Sequence, residues 1–175
     1  TIIVLELHVL RGSGFHALRP VLPVFFTYLL SFVNVGIYWN NHHHMLHAMH
    51  RTNGVILWAN LHLLFWLSLF PFATGWMGES HFHAVPAATY GVVCLAAAIA
   101  YYLLQTAIIR DQGPESPVAA AIGRDVKGKI SPLLYFAAIP LAFADRWIAV
   151  GLYILVAGIW LVPDRRMENV HHEGP

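Results

Sequence analysis

Long stretches that lack Asp, Glu, Lys and Arg constrain this chain more than any other feature of its sequence. Three of them have the length that an α-helix needs to cross the hydrocarbon core of a bilayer, and two shorter ones follow. They occupy residues 21–39, 54–78, 84–109, 130–144 and 147–163. Charged residues make up only 11% of the chain, whereas soluble domains contain about 25%. The sequence therefore predicts an all-α integral membrane protein.

A further apolar run at the start of the chain predicts one more helix, of which only a part is present. Because the chain begins at Thr1 rather than Met, and within an apolar run, we expect residues of this first helix to precede it. The whole chain is then predicted to form a single membrane domain, 1–175, built from a six-helix subunit. Its spans are 1–10 (partial), 21–44, 54–78, 84–109, 130–144 and 147–163, followed by a tail at 164–175.

Basic residues are distributed unequally between the predicted loops, and this asymmetry predicts the orientation of the chain. With six spans, both termini lie on the same side of the membrane. The loops on that side carry seven basic residues and the opposite loops carry three. Cytoplasmic loops are enriched in Lys and Arg, so both termini are predicted to be cytoplasmic. The seven are Arg51, Arg110, Arg124, Lys127, Lys129, Arg165 and Arg166, and the three are Arg11, Arg19 and Arg146.

Composition also removes several classes of function. The net charge is only +1 and the ten basic residues are scattered, whereas nucleic-acid-binding proteins gather basic residues on one face. We therefore expect the lipid bilayer, and no nucleic acid, as a partner. Glu6 and Asp145 lie at the ends of predicted spans, and no span holds a proton-relay carboxylate with an obvious partner, which argues against a proton-coupled transporter.

A cluster of histidines follows the second predicted span. His43, His47 and His50 are spaced so that they share one face of a helix, and imidazole binds zinc, iron and copper. A histidine-box membrane oxygenase or desaturase is therefore an alternative function, and a secondary transporter is another. A di-iron site, however, needs further histidine boxes, and the cluster contains no acidic ligand. We predict neither a catalytic site nor a metal or cofactor here.

Polar residues within the predicted spans leave two interpretations open. Trp39 and His43 are four residues apart and share a helix face, and Asn60 lies inside the third span. Such side chains either form hydrogen bonds that join neighbouring helices, or they belong to a polar network that holds a functional helix in place. The first fragment is equally open, because Thr1, Ile2 and Leu5 could pack against lipid or protein, or could line a pore.

Several short strings, in their order along the chain, resemble the prokaryotic members of the transmembrane protein 175 family of potassium channels. The family's diagnostic motif, an Arg followed by Phe-Ser-Asp early in the first helix, is absent and is expected upstream of Thr1. The similar strings extend over nearly the whole chain. They are TIIVLEL at 1–7, SFVNVGIYW at 31–39, WANL at 58–61, FPFAT at 70–74, KGKIS at 127–131 and WLVPDRR at 160–166.

This resemblance implies a function and an assembly that the residues alone do not. It implies a homotetrameric, potassium-selective channel in a bacterial plasma membrane, with potassium as the permeant ion and no enzymatic activity. The pore would be lined by the first helix, and the matching positions here are Thr1, Ile2 and Leu5. In the family, a polar network anchors this first helix. The matching positions here are Trp39, Asn60 and a histidine, which is either His43 or His42.

Overall fold

The structure is a computed structural model, and it describes residues 22–47, 49, 51–116, 119 and 126–161. All the regular structure in these residues is α-helical, which confirms the predicted all-α class for the described part of the chain. Residues 1–10, where the first span is predicted, lie outside it. The helices are α1 (Leu22–His47), α2 (Gly54–Ser68), α3 (Phe70–Glu79), α4 (Ala84–Gln112), α5 (Val126–Ala144) and α6 (Arg146–Leu161).

Helices α2 and α3 together occupy the single span that the sequence predicts at 54–78. The break falls at Leu69, whose N–H bonds to the carbonyl of Trp66. Pro71 follows two residues later and has no N–H to donate to the preceding turn, so the regular hydrogen-bond ladder is interrupted. The two segments nevertheless form one apolar helical stretch, Gly54–Glu79, and Ala84–Gln112 forms a second. Both are long and apolar enough to cross a membrane.

The beginnings of two helices have clear local causes. The side-chain oxygen of Asn53 accepts a hydrogen bond from the N–H of Ile56 at 3.0 Å and so caps the N-terminus of α2. Between α5 and α6, the Asp145 carboxylate accepts from the N–H of Trp147 at 2.8 Å. The carboxylate thereby satisfies one of the free donors at the start of α6. Arg146, which the sequence predicts in the loop between two spans, is the first residue of that helix.

Helix α4 lies at the centre of the bundle and packs against α2, α3, α5 and α6, while α1 packs mainly on α3 and α6. Two glycines allow close approaches between these helices. A Cβ added at Gly78 would lie 2.6 Å from the hydroxyl oxygen of Thr27, and one at Gly91 would overlap the hydroxyl of Tyr153. The Tyr153 hydroxyl donates to the carbonyl of Ala87 at 3.0 Å.

The outer surface of the bundle carries many large apolar side chains. Phe32, Trp58, Leu133 and Phe136, for example, are each exposed over more than three-fifths of their surface. Soluble monomers rarely expose contiguous apolar patches of more than a few hundred Å². Such a surface is suited to contact with lipid or with further helices.

Candidate functional site

The C-terminal half of α1 presents an aromatic pair to the outside of the bundle. The rings of Trp39 and His43 are stacked, with 5.3 Å between centroids and an angle of 14° between planes. His47 meets His43 edge-on at 4.3 Å. Because these residues follow one another at steps of four, the helix itself places them on one face. Trp39 is 64% exposed, so this face is open to a further partner.

A second polar contact joins α1 to α2. The Nε2 atom of His42 lies 2.6 Å from the side-chain oxygen of Asn60, which fits a hydrogen bond donated by the imidazole. Backbone packing between α1 and α2 is slight compared with the packing of either helix on its other neighbours. The His42–Asn60 bond is therefore a specific polar bridge between these helices, beside the buried apolar cluster that contains Met45 of α1 and Ile56 of α2.

The histidines of the cluster do not converge on one point in the described part of the chain. His42 turns toward Asn60, whereas His43 turns toward Trp39 and His47. No group of three or more His, Cys, Asp or Glu side chains in that part is arranged to hold a metal ion. His50 lies outside the described residues. The arrangement suits hydrogen bonding and ring stacking rather than metal coordination.

The loop between α1 and α2 is tied to the end of α4. Arg51 pairs with the Asp111 carboxylate at 3.2 Å and also donates to its backbone carbonyl at 3.1 Å. Asn53 donates to the other carboxylate oxygen at 2.7 Å while its own oxygen caps α2. Because the Arg51 side chain is 73% exposed, this ion pair contributes at most about 1 kcal/mol. Its main effect is to position the loop that follows the histidines.

Other polar links lie deeper in the bundle. Asn34 on α1 is only 4% exposed and donates both to the carbonyl of Leu30 and to the hydroxyl of Tyr90 on α4. On α2, the indole N–H of Trp66 donates to His62 at 2.9 Å, within the same helix. His62 thus has a local partner and does not join α2 to a neighbouring helix in this way.

The structure thus divides the predicted polar network of Trp39, His43 and Asn60 into two separate contacts. It brings Trp39 and His43 into contact with each other, and it brings Asn60 into contact with His42. Thr1, Ile2 and Leu5 lie outside the described residues. Sequence reasoning missed the Arg51–Asp111 and Asn34–Tyr90 links. Asn34 could have been found as a strongly polar residue inside an uncharged span, but nothing in the sequence pairs Arg51 with a residue sixty positions away.

Fold and site together define a helical membrane protein with a polar and aromatic face at one end of α1. Comparison with known proteins identifies the family. The family model for the endosomal/lysosomal potassium channel TMEM175 matches residues 1–71. A potassium channel from Chryseobacterium sp. (strain P1-3) is 52% identical over 97% of this chain and 88% of its own length. The chain belongs to the TMEM175 family.

More distant relatives agree with this assignment. A potassium channel from Streptomyces collinus is 27% identical over 90% of this chain and 82% of its own length. The crystal structure of a lysosomal potassium-selective channel TMEM175 homolog from Chamaesiphon minutus matches with a TM-score of 0.78 and 26% identity. That match covers 92% of this chain and 87% of the homolog.

Proposed function

We propose that this chain is a potassium-channel subunit, and that four copies assemble around a pore lined by their first helices. Its relatives are potassium channels and not enzymes, so the chain is a channel subunit rather than an oxygenase. Permeation is passive, and potassium passes down its electrochemical gradient. The subunit has six membrane helices and both termini in the cytoplasm of a bacterial cell. No cofactor takes part.

The observation that carries this proposal is an exposed stripe along α1. Its members recur at alternating steps of three and four, which is the spacing that lets one helix pack along another. All seven are exposed in the subunit, and all but the last are apolar, aromatic or glycine: Leu22, Phe25, Leu29, Phe32, Gly36, Trp39 and His43. We call these residues the α1 stripe. A further helix that packs on it would be held in register along its whole length.

We infer that the occupant of the α1 stripe is the first helix of the channel. The stripe is mostly apolar, but it ends at the Trp39–His43 stack. A polar end on an apolar stripe fixes the position of the partner helix along the stripe, because a polar group in the membrane must find a hydrogen-bonding partner. The neighbouring His42–Asn60 bond holds this end of α1 against α2.

The pore itself is proposed at Thr1, Ile2 and Leu5. A ring of four Thr1 hydroxyls would partly replace the water that an ion loses on entering a narrow path. Rings of Ile2 and Leu5 would narrow the path and disfavour water without offering such replacement. One subunit contributes one pore-lining helix, so a single chain cannot enclose a pore and a closed ring of copies is required.

The proposal is tested by reconstituting the purified full-length protein in planar bilayers with potassium on one side and sodium on the other. We expect a current whose reversal potential follows the potassium gradient alone, and native mass spectrometry should detect four copies per particle. A purified protein that passes no potassium would contradict the channel function. A reversal potential set by several coupled ions would instead indicate a transporter, and an assembly of another size would refute the tetramer.

A further inference from the structure

A cavity of about 90 Å³ lies between α1, α4, α5 and α6, away from the α1 stripe. Its described lining contains aromatic rings and side-chain amides, and no described carboxylate lines it. Lys129 also lines it and is exposed, so its ammonium marks the open side. We call this the aromatic–amide cavity. The residues that matter for the argument are Tyr38, Asn41, Gln105, Lys129, Tyr135 and Trp160.

Gln105 is the first indication that the cavity holds a ligand. It is only 8% exposed, and no hydrogen bond joins its side-chain amide to the described part of the chain. Asn41 donates its own N–H to the carbonyl of Ile37 at 2.8 Å, which leaves its amide oxygen as an acceptor. Gln105 lines the cavity, so its amide oxygen, like that of Asn41, can accept a hydrogen bond from a bound group that donates one.

The rings favour a positively charged group at the inner end of the cavity. Tyr38, Tyr135 and Trp160 present aromatic surface to it, and the faces of such rings attract ammonium groups. The indole N–H of Trp160 is fixed by its bond to the hydroxyl of Ser131 at 2.8 Å, which holds this ring in place. Amide oxygens and aromatic rings can therefore receive a cation in this cavity without a carboxylate as counter-charge.

The open side of the cavity favours a negatively charged group. Lys129 forms no ion pair with the described residues and lies near the start of α5, where an ammonium attracts a phosphate. A bare cation would be repelled there, and a bare anion would find aromatic rings inside but no second positive charge in the described lining. A ligand with an ammonium at its end and a phosphate a few ångströms behind it matches both parts of the cavity.

We propose that the aromatic–amide cavity binds the headgroup of a phosphatidylethanolamine lipid, with the ammonium inside and the phosphate beside Lys129. The three N–H donors of a primary ammonium can bond to the oxygens of Gln105 and Asn41, which a trimethylammonium cannot do. The cavity is also smaller than the ~150 Å³ that holds a benzene molecule, which favours the smaller headgroup. The acyl chains lie along the exposed apolar surface beside the cavity, where Tyr102 and Leu133 are more than half exposed.

This site goes beyond the channel function, and its test measures binding without conduction. The purified full-length protein is titrated with short-chain phosphatidylethanolamine, phosphatidylcholine or phosphatidylglycerol, and bound lipid per subunit is counted by native mass spectrometry. We expect phosphatidylethanolamine to bind about tenfold more tightly than the other two, the change that one hydrogen bond to a charged group produces. Gln105→Leu and Lys129→Gln should each weaken its binding by about the same factor.

Arg110→Gln is the matched control, because it removes a basic residue from the same side of the bundle without touching the cavity. Arg110→Gln should leave the preference for phosphatidylethanolamine over the other two lipids unchanged. Equal binding of phosphatidylglycerol, or loss of the preference in Arg110→Gln alone, would overturn the proposal. Displacement of the lipid by free ethanolamine at equal concentration would show a small amine site and overturn the lipid assignment. If Gln105→Leu does not fold, Lys129→Gln decides, since Lys129 is exposed.

Discussion

The Nε2 atom of His42 lies 2.6 Å from the side-chain oxygen of Asn60, and this bond crosses from α1 to α2. The adjacent His43 points elsewhere and stacks on Trp39. Two consecutive histidines thus serve two different surfaces: His42 joins helices within the subunit, and His43 belongs to the α1 stripe that remains open. Mutations at the two surfaces should therefore have different effects.

Asn60→Leu should destabilise the subunit. It removes the acceptor for His42, and a hydrogen bond between membrane helices contributes about 0.6–2 kcal/mol. For a chain of this length we expect the unfolding temperature in detergent to fall by about 2–4 °C for each kcal/mol lost, together with a weaker tetramer or a smaller potassium current. His62→Leu is the control, because within the described residues the His62 side chain bonds to Trp66 of its own helix and to no other helix. Unchanged stability and unchanged current in Asn60→Leu would disprove a role for the bridge.

Trp39→Ala should impair assembly more than it impairs the fold of the subunit. Trp39 is 64% exposed and Trp58 is 74% exposed, but only Trp39 lies on the α1 stripe. We expect Trp39→Ala to lower the tetramer fraction in native mass spectrometry and to reduce current at equal protein load. Trp58→Ala should behave like the wild type in both measurements. Equal behaviour of the two variants would refute the assignment of the α1 stripe as a packing surface for the first helix.

Substitutions at Thr1 and Leu5 should separate selectivity from conduction. Thr1 is the only hydroxyl-bearing residue in the 1–10 fragment. Thr1→Ala removes the oxygens that could compensate an ion for lost water, so the preference for potassium over sodium should fall while current remains measurable. Leu5→Asn should instead wet the path and raise conductance. Reversal potentials and single-channel conductances in bilayers report both effects, and no change in either variant would mean that this helix does not line the pore.

A cysteine at position 169 should be protected from reagents outside the cell. The single native cysteine, Cys94, is buried, so Asn169→Cys in a Cys94→Ala background provides one reporter thiol. Because basic residues predict a cytoplasmic C-terminus, labelling by a membrane-impermeant maleimide should require permeabilised cells. The same reagent should label Glu79→Cys in intact cells, since Glu79 is exposed at the end of α3, on the side of the bundle where α6 begins. Labelling of position 169 in intact cells would reverse the proposed orientation.

The histidine cluster should bind no stoichiometric metal. His44, His47 and His50 lack the carboxylates and the further histidine boxes of a di-iron site. Elemental analysis of the purified protein should therefore find far less than one iron or zinc per chain, and His47→Ala should not alter this content. Retained metal that disappears in His47→Ala would require a metal site here after all.

Particular residues show how far the sequence alone reaches. The apolar runs predicted the helical class, because in lipid every backbone polar group must be satisfied within the segment. Asn53 before Gly54 and Pro71 after Leu69 are local signals for the N-cap and the helix break, although the uncharged run had predicted one continuous span at 54–78. The ordered strings also indicated the family, which the 52% identical relative then established. None of these conclusions needs a contact between residues that are distant in the chain.

The tertiary structure decided which histidine faces which partner. Successive residues on a helix point about 100° apart, so a shift of one position, from His43 to His42, moves a side chain from the α1 stripe to the interface with α2. It also decided the Arg51–Asp111 link and the aromatic–amide cavity, whose lining comes from four helices. Periodicity specifies the face of one helix on which a residue lies, but which faces meet depends on how all the helices pack together.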